Sequence, residues 1–313
     1  MIELYLAPLQ GLTDWIFREA FCRHIGGIDK TFTPFIRIHN GEYYRPVQCK
    51  DIFAEHNQHQ TPIPQFLGND IVSFRVMEQV CTEKGYQEVN LNMGCPYPMV
   101  TNRGFGAGLL QQPELLHFFL ERIFTETKLQ VSIKCRLGLH TADEFEKIIP
   151  VFNQFPIKEI ILHPRVGKQQ YKGTVDLAAF ETYSQQLKHP LCYNGDIVSE
   201  GDSRRIREQF PELKKLMIGR GLLINPFLAH EIKGTEFSKH EKSEKLLRFH
   251  QEMIQLCAEK YANEHQYLKR FTELWEYHSE MYQEGHKLYK MVKKAKSLDQ
   301  YELAIRKAVE NIK

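Results

Sequence analysis

Length, composition and charge restrict the classes to which this chain can belong. Its 313 residues are 42% hydrophobic, which is enough to bury the core of one large α/β domain or of one domain with an appendage. Charged residues make up 26% and the formal net charge is +2, so a nucleic-acid partner would need a local basic surface rather than a basic chain.

Targeting signals and crosslinking cysteines are not expected. No apolar run reaches the length of about 18 residues that a membrane span needs, and the start "MIELYLAPLQG" has no basic segment before a long apolar one. The seven cysteines are scattered and form no CxxC pair, which disfavours a cysteine-based metal site and a disulfide framework. We therefore expect a cytoplasmic protein with no membrane segment, no metal and no obligate protein partner.

Short apolar segments alternate with amphipathic segments through most of the chain. Helical patterns such as "DIVSFRVMEQVCTEKG", "PELLHFFLERIFTET" and "DEFEKIIPVFNQF" lie between the apolar segments. Eight of the apolar segments are predicted strands: 4–9, 31–38, 63–68, 88–94, 131–138, 159–165, 191–197 and 215–221. The pattern predicts an α/β fold, a (β/α)8 TIM barrel rather than a doubly wound open sheet, because the count reaches eight and polar residues recur at the strand ends.

Two regions depart from this alternation. Residues 40–61 are polar and irregular and are expected to form an extended loop. From residue 236 the sequence has a helical period with few strand formers, which predicts a small bundle of three or four helices reached through "KGTEFSKHEK". We therefore expect a barrel domain over residues 1–235 and a helical domain over residues 236–313.

The segments "YNGDI" and "IGRG" close the seventh and eighth predicted strands. Many barrels bind a phosphate with the loops after these strands, where glycine lets backbone N–H groups approach an anion. Arg220 would add a cation that can bind a phosphate with two hydrogen bonds. A phosphate-bearing cofactor or substrate is the preferred interpretation, and an ordinary pair of tight turns is the alternative.

The fifth and sixth predicted strands carry cations and a histidine. Lys134 and Arg136 alternate with Cys135 in "VSIKCRLG", so the two cations share one face of the strand. A lysine inside a barrel mouth needs an anion or an electron-rich ring, and a flavin offers one because its reduction places negative charge on the ring. His163 would bind the cofactor or be an ordinary interior histidine, and Gln65 resembles an amide that reads a flavin edge.

One cysteine stands at a strand end. In "VNLNMGCPYPMV", Cys95 lies between a glycine and a proline, so its thiol is expected to point into the barrel mouth with little freedom. A thiol with a pKa of about 8.5 is protonated near neutrality and can act as a general acid beside a flavin. The following "RGFGAGLL" is predicted to be a mobile loop. The alternative, a buried inert thiol, is our interpretation of Cys22, Cys81, Cys135, Cys192 and Cys257.

These motifs together resemble the tRNA-dihydrouridine synthase family. The opening "LAPLQGLTDWIFREAF" is similar to the family's amino-terminal flavin motif, and "VNLNMGCPYPMV" with "RGFGAGLLQQPELL" is similar to its cysteine signature. The segments "VSIKCRLG", "LHPRVGKQQYKG", "NGDI" and "MIGRGLLINPFL" follow in the family's order, so the resemblance covers residues 4 to 228. Leu9, where methionine is usual, and Pro164 and Val166, beside the histidine, depart from the family's pattern.

The resemblance implies an enzyme that binds FMN, is reduced by NADPH and converts uridine in tRNA to 5,6-dihydrouridine. Hydride would pass from flavin N5 to C6 of the base, and Cys95 would protonate C5. The residues implied for the cofactor are Pro8, Leu9 and Gln10 along the flavin, Gln65 at its edge, Lys134 and His163 at the ring, and Asn194, Gly195, Asp196, Gly219 and Arg220 at the phosphate. The residues implied for the target uracil are Asn92, Arg136 and Tyr171.

The surface that would bind RNA is expected to be local. The segment "FTPFIRI", which contains Arg37, and the helical tail resemble the branch of the family that acts near positions 16 and 17 of the tRNA D-loop. A solvated charged face is the alternative interpretation for each single lysine. The basic candidates for RNA contact are Arg37, Arg165, Lys168, Lys172 and the segment 290–296.

Three other functions stay open at this point. A flavin barrel acting on a free small molecule would share the cofactor residues and would need no helical tail. A dihydrouridine synthase acting on ribosomal RNA would have the same composition. A non-catalytic RNA-binding protein on the same scaffold would lack bound FMN.

Overall fold

The computed structural model of the protein describes residues 2–39, 41–43, 45 and 50–313. The expected loop over residues 40–61 therefore lies partly outside the described residues, and Cys49 lies wholly outside them. The described part of this region contains a short antiparallel hairpin and a 3-10 helix over Ala54–His56 instead of an extended loop. Gly41 at the hairpin turn has a φ of 79°, which glycine adopts without strain.

One parallel sheet of eight strands dominates the described residues. The strands are β1 Glu3–Leu6, β2 Lys30–Thr31, β3 Ile38–His39, β4 Glu42–Tyr43, β5 Gln65–Phe66, β6 Glu88–Met93, β7 Gln130–Gly138, β8 Ile160–Val166, β9 Leu191–Asn194 and β10 Lys215–Ile218. The order in the large sheet is β2-β1-β10-β9-β8-β7-β6-β5, while β3 and β4 form the separate hairpin. Each of the eight predicted strands overlaps one strand of this sheet, which confirms the prediction of a parallel α/β fold.

The two edges of the sheet approach each other. Isolated parallel bridges join Phe32 to Ile63 and Ile36 to Phe66, which connects the chain after β2 to the chain around β5. The sheet is therefore curled and barrel-like, as predicted. The second strand is shorter than predicted because Pro34 follows it, and proline has no N–H to donate to a strand ladder.

Thirteen helices are present in the described residues. They are α1 Trp15–His24, α2 Ile71–Glu83, α3 Pro98–Thr101, α4 Pro113–Glu126, α5 Glu144–Phe152, α6 Leu177–Ser184, α7 Glu200–Gln209, α8 Arg220–Ile224, α9 Leu228–Ile232, α10 Lys239–Lys260, α11 Glu264–His278, α12 Gly285–Lys294 and α13 Leu298–Val309. Side-chain caps fix several starts: Asp14 accepts from the Phe17 amide, and Ser199 forms a capping box with Asp202.

Side chains of the sheet alternate between its inside and the surrounding helices. In β8, Ile160 and Leu162 belong to the large core shared with the helices, whereas Ile161 belongs to a separate inner cluster. His163 lies two residues further on and shares the inner face. The inner cluster, which fills the lower part of the curled sheet, comprises Tyr5, Ala7, Phe32, Ile161, Cys192 and Met217.

The same alternation operates in β7. Cys135 is fully buried in the outer core, so Lys134 and Arg136 face the inside of the sheet. This confirms the prediction that the two cations share one face and Cys135 lies on the other. Apolar residues fill the amino-terminal end of the inside, and polar residues occupy the carboxyl-terminal end.

The helices α10–α13 follow the sheet and pack on one another. The rings of Phe271 and Tyr301 stack with centroids 4.3 Å apart, and Phe249 of α10 meets Phe17 of α1 edge-on at 5.6 Å. The chain after residue 236 is helical, and a separate helical domain over residues 236–313 stays a prediction. Among the residues that the structure describes, no helix combines the length and the apolar character that crossing a membrane requires.

Candidate functional site

A pocket opens at the carboxyl ends of the parallel strands. Its empty space amounts to about 1160 Å³ when the solvent-filled mouth is included. Of the residues expected to form a site, the pocket brings together Pro8, Leu9, Gln10, Asn92, Cys95, Lys134, Arg136, His163, Tyr171, Asn194, Gly195, Asp196, Gly219 and Arg220. Residues separated by more than 200 positions in the chain therefore share one cavity.

Cys95 lies directly after β6 and is held by the strand that precedes it. The Oδ1 atom of Asn92 accepts hydrogen bonds from the amides of Gly94 (3.1 Å) and Cys95 (2.9 Å). The Nδ2 atom of Asn92 donates to Oε1 of Gln65 at 2.7 Å. Asn92 thus uses both ends of its amide to fix the turn that carries the thiol.

The segment "RGFGAGLL" supports the same turn from behind. The Ala107 amide donates to the carbonyl of Cys95 at 3.0 Å. Gly106 has a φ of 57°, and a Cβ built on it would lie 2.6 Å from the Cys95 carbonyl oxygen. The prediction that this segment is a loop is wrong for residues Gly106–Gln111. They form a 3-10 helix whose first five residues are buried.

The thiol of Cys95 is only 7% exposed, and its environment favours the protonated form. Burial raises the pKa of Cys95, and a backbone hydrogen bond at Tyr97 and the nearby cations Arg136 and Lys134 oppose this rise only in part. The group at the pocket wall is therefore a thiol at neutral pH, which is a proton donor rather than a nucleophilic thiolate.

Two cations from β7 form one wall. Burial, reinforced by the neighbouring Arg136, lowers the pKa of Lys134 to about 8. Among the described residues the Lys134 ammonium has no hydrogen-bond acceptor, which leaves it for a ligand. Arg136 is oriented by hydrogen bonds from Nε to the Gly94 carbonyl (3.1 Å) and from Nη1 to the Val166 carbonyl (3.0 Å).

His163 is buried and uncharged. Burial, together with the charges of Arg136, Lys134 and two further arginines, lowers its pKa well below the usual value. Its Nε2 atom lies 3.3 Å from Nη1 of Arg165, and a guanidinium can only donate, so Nε2 is the acceptor nitrogen. The imidazole is therefore a neutral group in the pocket wall.

The carboxylate of Asp196, which follows β9, joins Arg165 of β8 to Arg220, which follows β10. Asp196 accepts from Nη1 and Nη2 of Arg165 at 2.9 and 2.5 Å and from Nη2 of Arg220 at 2.9 Å. Asp196 has a φ of 44° and follows Gly195 with a φ of 156°. The backbone therefore has two consecutive residues with positive φ beside the two guanidinium groups.

Arg165, which was predicted to contact RNA, is buried instead of lying at the surface. Its side chain is 1% exposed, and its Nη2 atom also donates to the Gly173 carbonyl at 2.6 Å. It acts as a buried support behind Asp196 and Arg220. Among the lining residues that the structure describes, Lys134, Arg136 and Arg220 oppose one carboxylate, so the pocket has an excess of positive charge that suits an anion.

Three predicted site residues do not line the pocket. Gln65 is fully buried behind Asn92, and its Nε2 atom donates to Oδ1 of Asn90 at 2.8 Å. The guanidinium of Arg37 lies over the ring of Phe105 at 4.6 Å. Lys168 is exposed in the 3-10 helix Gly167–Gln169.

Tyr97 and Tyr277, two aromatic residues at the mouth, were not singled out from the sequence, whereas Tyr171 was. Tyr97, which follows Cys95 and Pro96, is 49% exposed, and Tyr277 reaches the pocket from α11. The Tyr171 ring lies between two guanidinium groups, 5.4 Å from Arg136 and 4.9 Å from Arg220. The position of Tyr97 beside the cysteine was a usable signal, whereas nothing local in the sequence connects Tyr277 to this site.

Metal chemistry has no donor set in the part of the chain that the structure describes. No group of three or more His, Cys, Asp or Glu residues is arranged there to hold an ion.

The chain is similar to known proteins over most of its length. A tRNA-dihydrouridine(16) synthase of Pseudomonas syringae pv. tomato is 32% identical over 240 residues, which cover 74% of this chain and 74% of that protein. A probable tRNA-dihydrouridine synthase 2 of Bacillus subtilis is 30% identical over 284 residues, which cover 86% of this chain and 83% of that protein. The solved structure of morphinone reductase shares the fold with a TM-score of 0.51 at 12% identity, covering 75% of this chain and 87% of that one.

The family comparison completes the identification. The sequence model described as Dihydrouridine synthase (Dus) matches residues 5–312, which is nearly the whole chain. The cysteine turn, the cationic wall, and Asp196 with its two arginines lie within the matched residues. The chain belongs to the dihydrouridine synthase family.

Proposed function

We propose that the protein reduces uridine to 5,6-dihydrouridine in tRNA, with FMN as its bound cofactor and NADPH as the reductant. The observation that carries the proposal is the pocket itself: a protonated Cys95 thiol and a cationic wall share one cavity in a chain of the dihydrouridine synthase family. The proposal treats residues 1–235 as a (β/α)8 TIM barrel that holds FMN and residues 236–313 as a helical RNA-binding domain.

The residues of the pocket fit FMN. Lys134 offers a buried ammonium that has no acceptor among the described residues, and the electron-rich ring of a flavin would give this cation a partner. Gly195, Gly219 and Arg220 lie after β9 and β10, where backbone amides and a guanidinium suit a phosphate. Pro8, Leu9 and Gln10 also line the pocket, on the loop after the neighbouring strand β1. FMN, once reduced by NADPH, would supply the hydride that adds to C6 of the uracil ring.

Cys95 supplies the proton in this proposal. Addition of hydride at C6 leaves negative charge on the ring at C5, and the thiol proton passes to C5 to give the saturated C5–C6 bond. The raised pKa keeps the thiol protonated until that step. The thiolate that is left regains a proton from solvent, so one NADPH and one proton are consumed for each dihydrouridine formed.

The remaining polar groups would hold the base. Asn92 fixes the cysteine turn, while Arg136, which is hydrogen-bonded to the Gly94 carbonyl of that turn, and Tyr171 would orient the uracil. The target base must leave its stack to enter, which costs a few kcal/mol and less in a loop than in a helix. The rings of Tyr97 and Tyr277 at the mouth would stack on neighbouring bases and repay part of that cost.

The C-terminal helices carry basic surface for the RNA backbone. A surface groove there is lined by His265, Leu268, Lys293, Lys294, Ala295 and Lys296. Three lysines beside an apolar patch suit a phosphate backbone. Arg37 and Lys168 would contribute near the pocket. The relative from Pseudomonas syringae is named for position 16 of tRNA, and we propose the same target position and a cytoplasmic location for this protein.

The proposal is tested by separating its two half-reactions in Cys95→Ala. We expect the wild-type protein to purify with, or take up, FMN and to form dihydrouridine in tRNA with NADPH. The variant should bind FMN and oxidise NADPH at the wild-type rate, because the alanine removes only the proton donor, and should lose at least 100-fold in dihydrouridine formation. Mass mapping of tRNA from cells that lack the protein should show unmodified uridine at position 16.

Other outcomes would point to other functions. Wild-type turnover of tRNA by Cys95→Ala would remove the thiol from the mechanism. Dihydrouridine lost from ribosomal RNA alone would make that RNA the substrate. Turnover of a free pyrimidine with no activity on RNA would indicate a small-molecule enzyme, and failure to bind FMN at all would indicate a non-catalytic RNA-binding protein.

A further inference from the structure

The loop between β1 and α1 forms one wall of the pocket, and its backbone is held from outside the sheet. Pro8, Leu9, Gln10 and Leu12 line the cavity. Within the loop, Oγ1 of Thr13 accepts from the Leu9 amide at 2.8 Å and donates to the Ala7 carbonyl at 3.2 Å. These internal bonds shape the loop but leave the carbonyls of residues 11–13 without partners from the loop itself.

Two buried guanidinium groups take up those three carbonyls. Arg270 of α11 donates from Nη1 to the Gly11 carbonyl at 3.2 Å and from Nη2 to the Leu12 carbonyl at 3.3 Å. Arg18 of α1 donates from Nη1 to the Thr13 carbonyl at 3.0 Å. Three consecutive peptide units of the pocket wall therefore depend on two side chains, and one of these comes from the C-terminal helices.

A carboxylate at the end of the loop fixes Arg270 in this position. Asp14 accepts from Nη2 of Arg270 at 2.6 Å, from Nη1 at 3.1 Å and from Nζ of Lys260 at 2.5 Å. Burial would raise the pKa of Asp14, but Arg270 and Lys260 together lower it, so the carboxylate is charged. Arg270 is 6% exposed, so removing Asp14 would leave its charge buried without a carboxylate, whereas removing Arg270 would leave Asp14 paired with Lys260.

We infer that Arg270, held by Asp14 and Lys260, is a positioning residue that sets the cofactor-binding wall of the pocket from the C-terminal helices. This inference rests on the proposed function for the identity of the cofactor, FMN. It gives the C-terminal helices a second task beside RNA binding, because they complete the pocket. Removal of residues 236–313 would therefore disturb the cofactor site as well as the RNA surface.

The test compares Arg270→Gln with a second contact between the same two parts of the chain. Arg23 of α1 binds Glu252 of α10 through two hydrogen bonds of 2.9 and 3.0 Å at an exposed position that does not touch the pocket loop. Arg23→Gln removes this contact and serves as the matched control. Both variants are made in the full chain, and their FMN dissociation constants are measured by titration of flavin fluorescence.

A readout that does not need FMN is hydrogen–deuterium exchange of the peptide containing residues 8–14 in the purified protein without added cofactor. For Arg270→Gln we expect at least tenfold faster exchange in this peptide, with exchange in β6–β8 unchanged, and at least tenfold weaker FMN binding. For Arg23→Gln we expect neither change. Arg270→Lys keeps the charge beside Asp14 but not the planar fork, so it should remain folded and show the same two effects to a smaller extent.

The results separate this inference from the proposed function. Arg270→Gln with wild-type exchange in residues 8–14 and an FMN affinity within twofold of wild type would overturn the positioning role. Should Arg270→Gln not fold, a wild-type exchange pattern in folded Arg270→Lys would overturn it equally. If the wild-type protein binds no FMN, the proposed function fails, and the exchange measurement alone still decides whether Arg270 holds the loop.

Discussion

At the scale of single residues, the charges in the pocket depend on partners that lie behind them. Arg220 faces the cavity, but Asp196 holds it, and Asp196 is in turn held by two nitrogens of the buried Arg165. The family resemblance implied that Asp196 is one of the residues that hold the phosphate. Its contacts support an indirect role, in which the carboxylate orients guanidinium groups that meet the anion.

Asp196→Asn should reveal this role through stability. An asparagine cannot accept from both arginines with a full charge, so Arg165 is left buried and uncompensated, and we expect a loss of roughly 3 kcal/mol in the free energy of unfolding. Urea unfolding of the purified protein measures it. The exposed pair of Glu200 with Arg204 is the control, since Glu200→Gln should change the free energy of unfolding far less. Equal losses in the two variants would contradict the assignment.

At the scale of elements, the 3-10 helix Gly106–Gln111 sets the position of the cysteine turn. It lies against the backbone of Cys95, and its first glycine leaves no space for a Cβ atom. The glycine-rich segment "RGFGAGLL" was compatible with two structures, a mobile loop or a close approach of two backbones. The structure shows the second, because only burial distinguishes the two.

Gly106→Ala should therefore reduce uridine turnover without removing FMN. The new methyl group would lie 2.6 Å from the Cys95 carbonyl oxygen and 2.9 Å from its Cβ, so the thiol must move. We expect at least a tenfold fall in dihydrouridine formation, since displacements near 1 Å at a reacting group have large effects. Gly85→Ala is the matched control, because Gly85 also has a positive φ of 77° but nothing within 4 Å of a Cβ. Similar activity in the two variants would contradict this role of Gly106.

At the scale of the whole molecule, a buried hydrogen-bonded network connects the C-terminal helices to the pocket side. Nδ1 of His278 donates to the Leu223 carbonyl of α8 at 3.2 Å, because a carbonyl can only accept. Its Nε2 atom then accepts from the Tyr282 hydroxyl at 2.8 Å and lies 3.4 Å from Nε2 of His250. Tyr301 completes the network by donating to Nδ1 of His250 at 3.0 Å. The bonds that Nε2 of His278 and Nδ1 of His250 accept require both imidazoles to be neutral.

Acid should therefore destabilise the fold. Burial lowers the pKa of His278 to about 4, below the value of about 6.5 expected in the unfolded chain, so the unfolded state binds more protons between these values. The contribution of His278 to the free energy of unfolding is fully present above pH 6.5. It is lost as the pH falls towards 4, by up to roughly 3 kcal/mol. Melting temperatures between pH 7.5 and 4.5 measure it, and His278→Asn should show a flatter dependence. An identical slope in the variant would contradict the prediction.

Local patterns in the sequence were enough to predict the strands, the helices and most of the residues that meet in the pocket. Eight strands could be found because parallel strands are continuous apolar runs, and the alternation of Lys134, Cys135 and Arg136 could be read because side chains of a strand alternate. Strand ends in a parallel sheet converge at one edge, so polar residues at those ends were expected to meet.

Packing of the elements determines which side chains touch the pocket and which support it. It placed Gln65 behind Asn92, buried Arg165 under Asp196, and brought Arg270 and Tyr277 from the C-terminal helices to the pocket. Contacts between residues more than 200 positions apart leave no periodicity in the chain, since they depend on how helices pack on the sheet. The physical reason is that local patterns specify a face of an element, whereas packing selects the partner of that face.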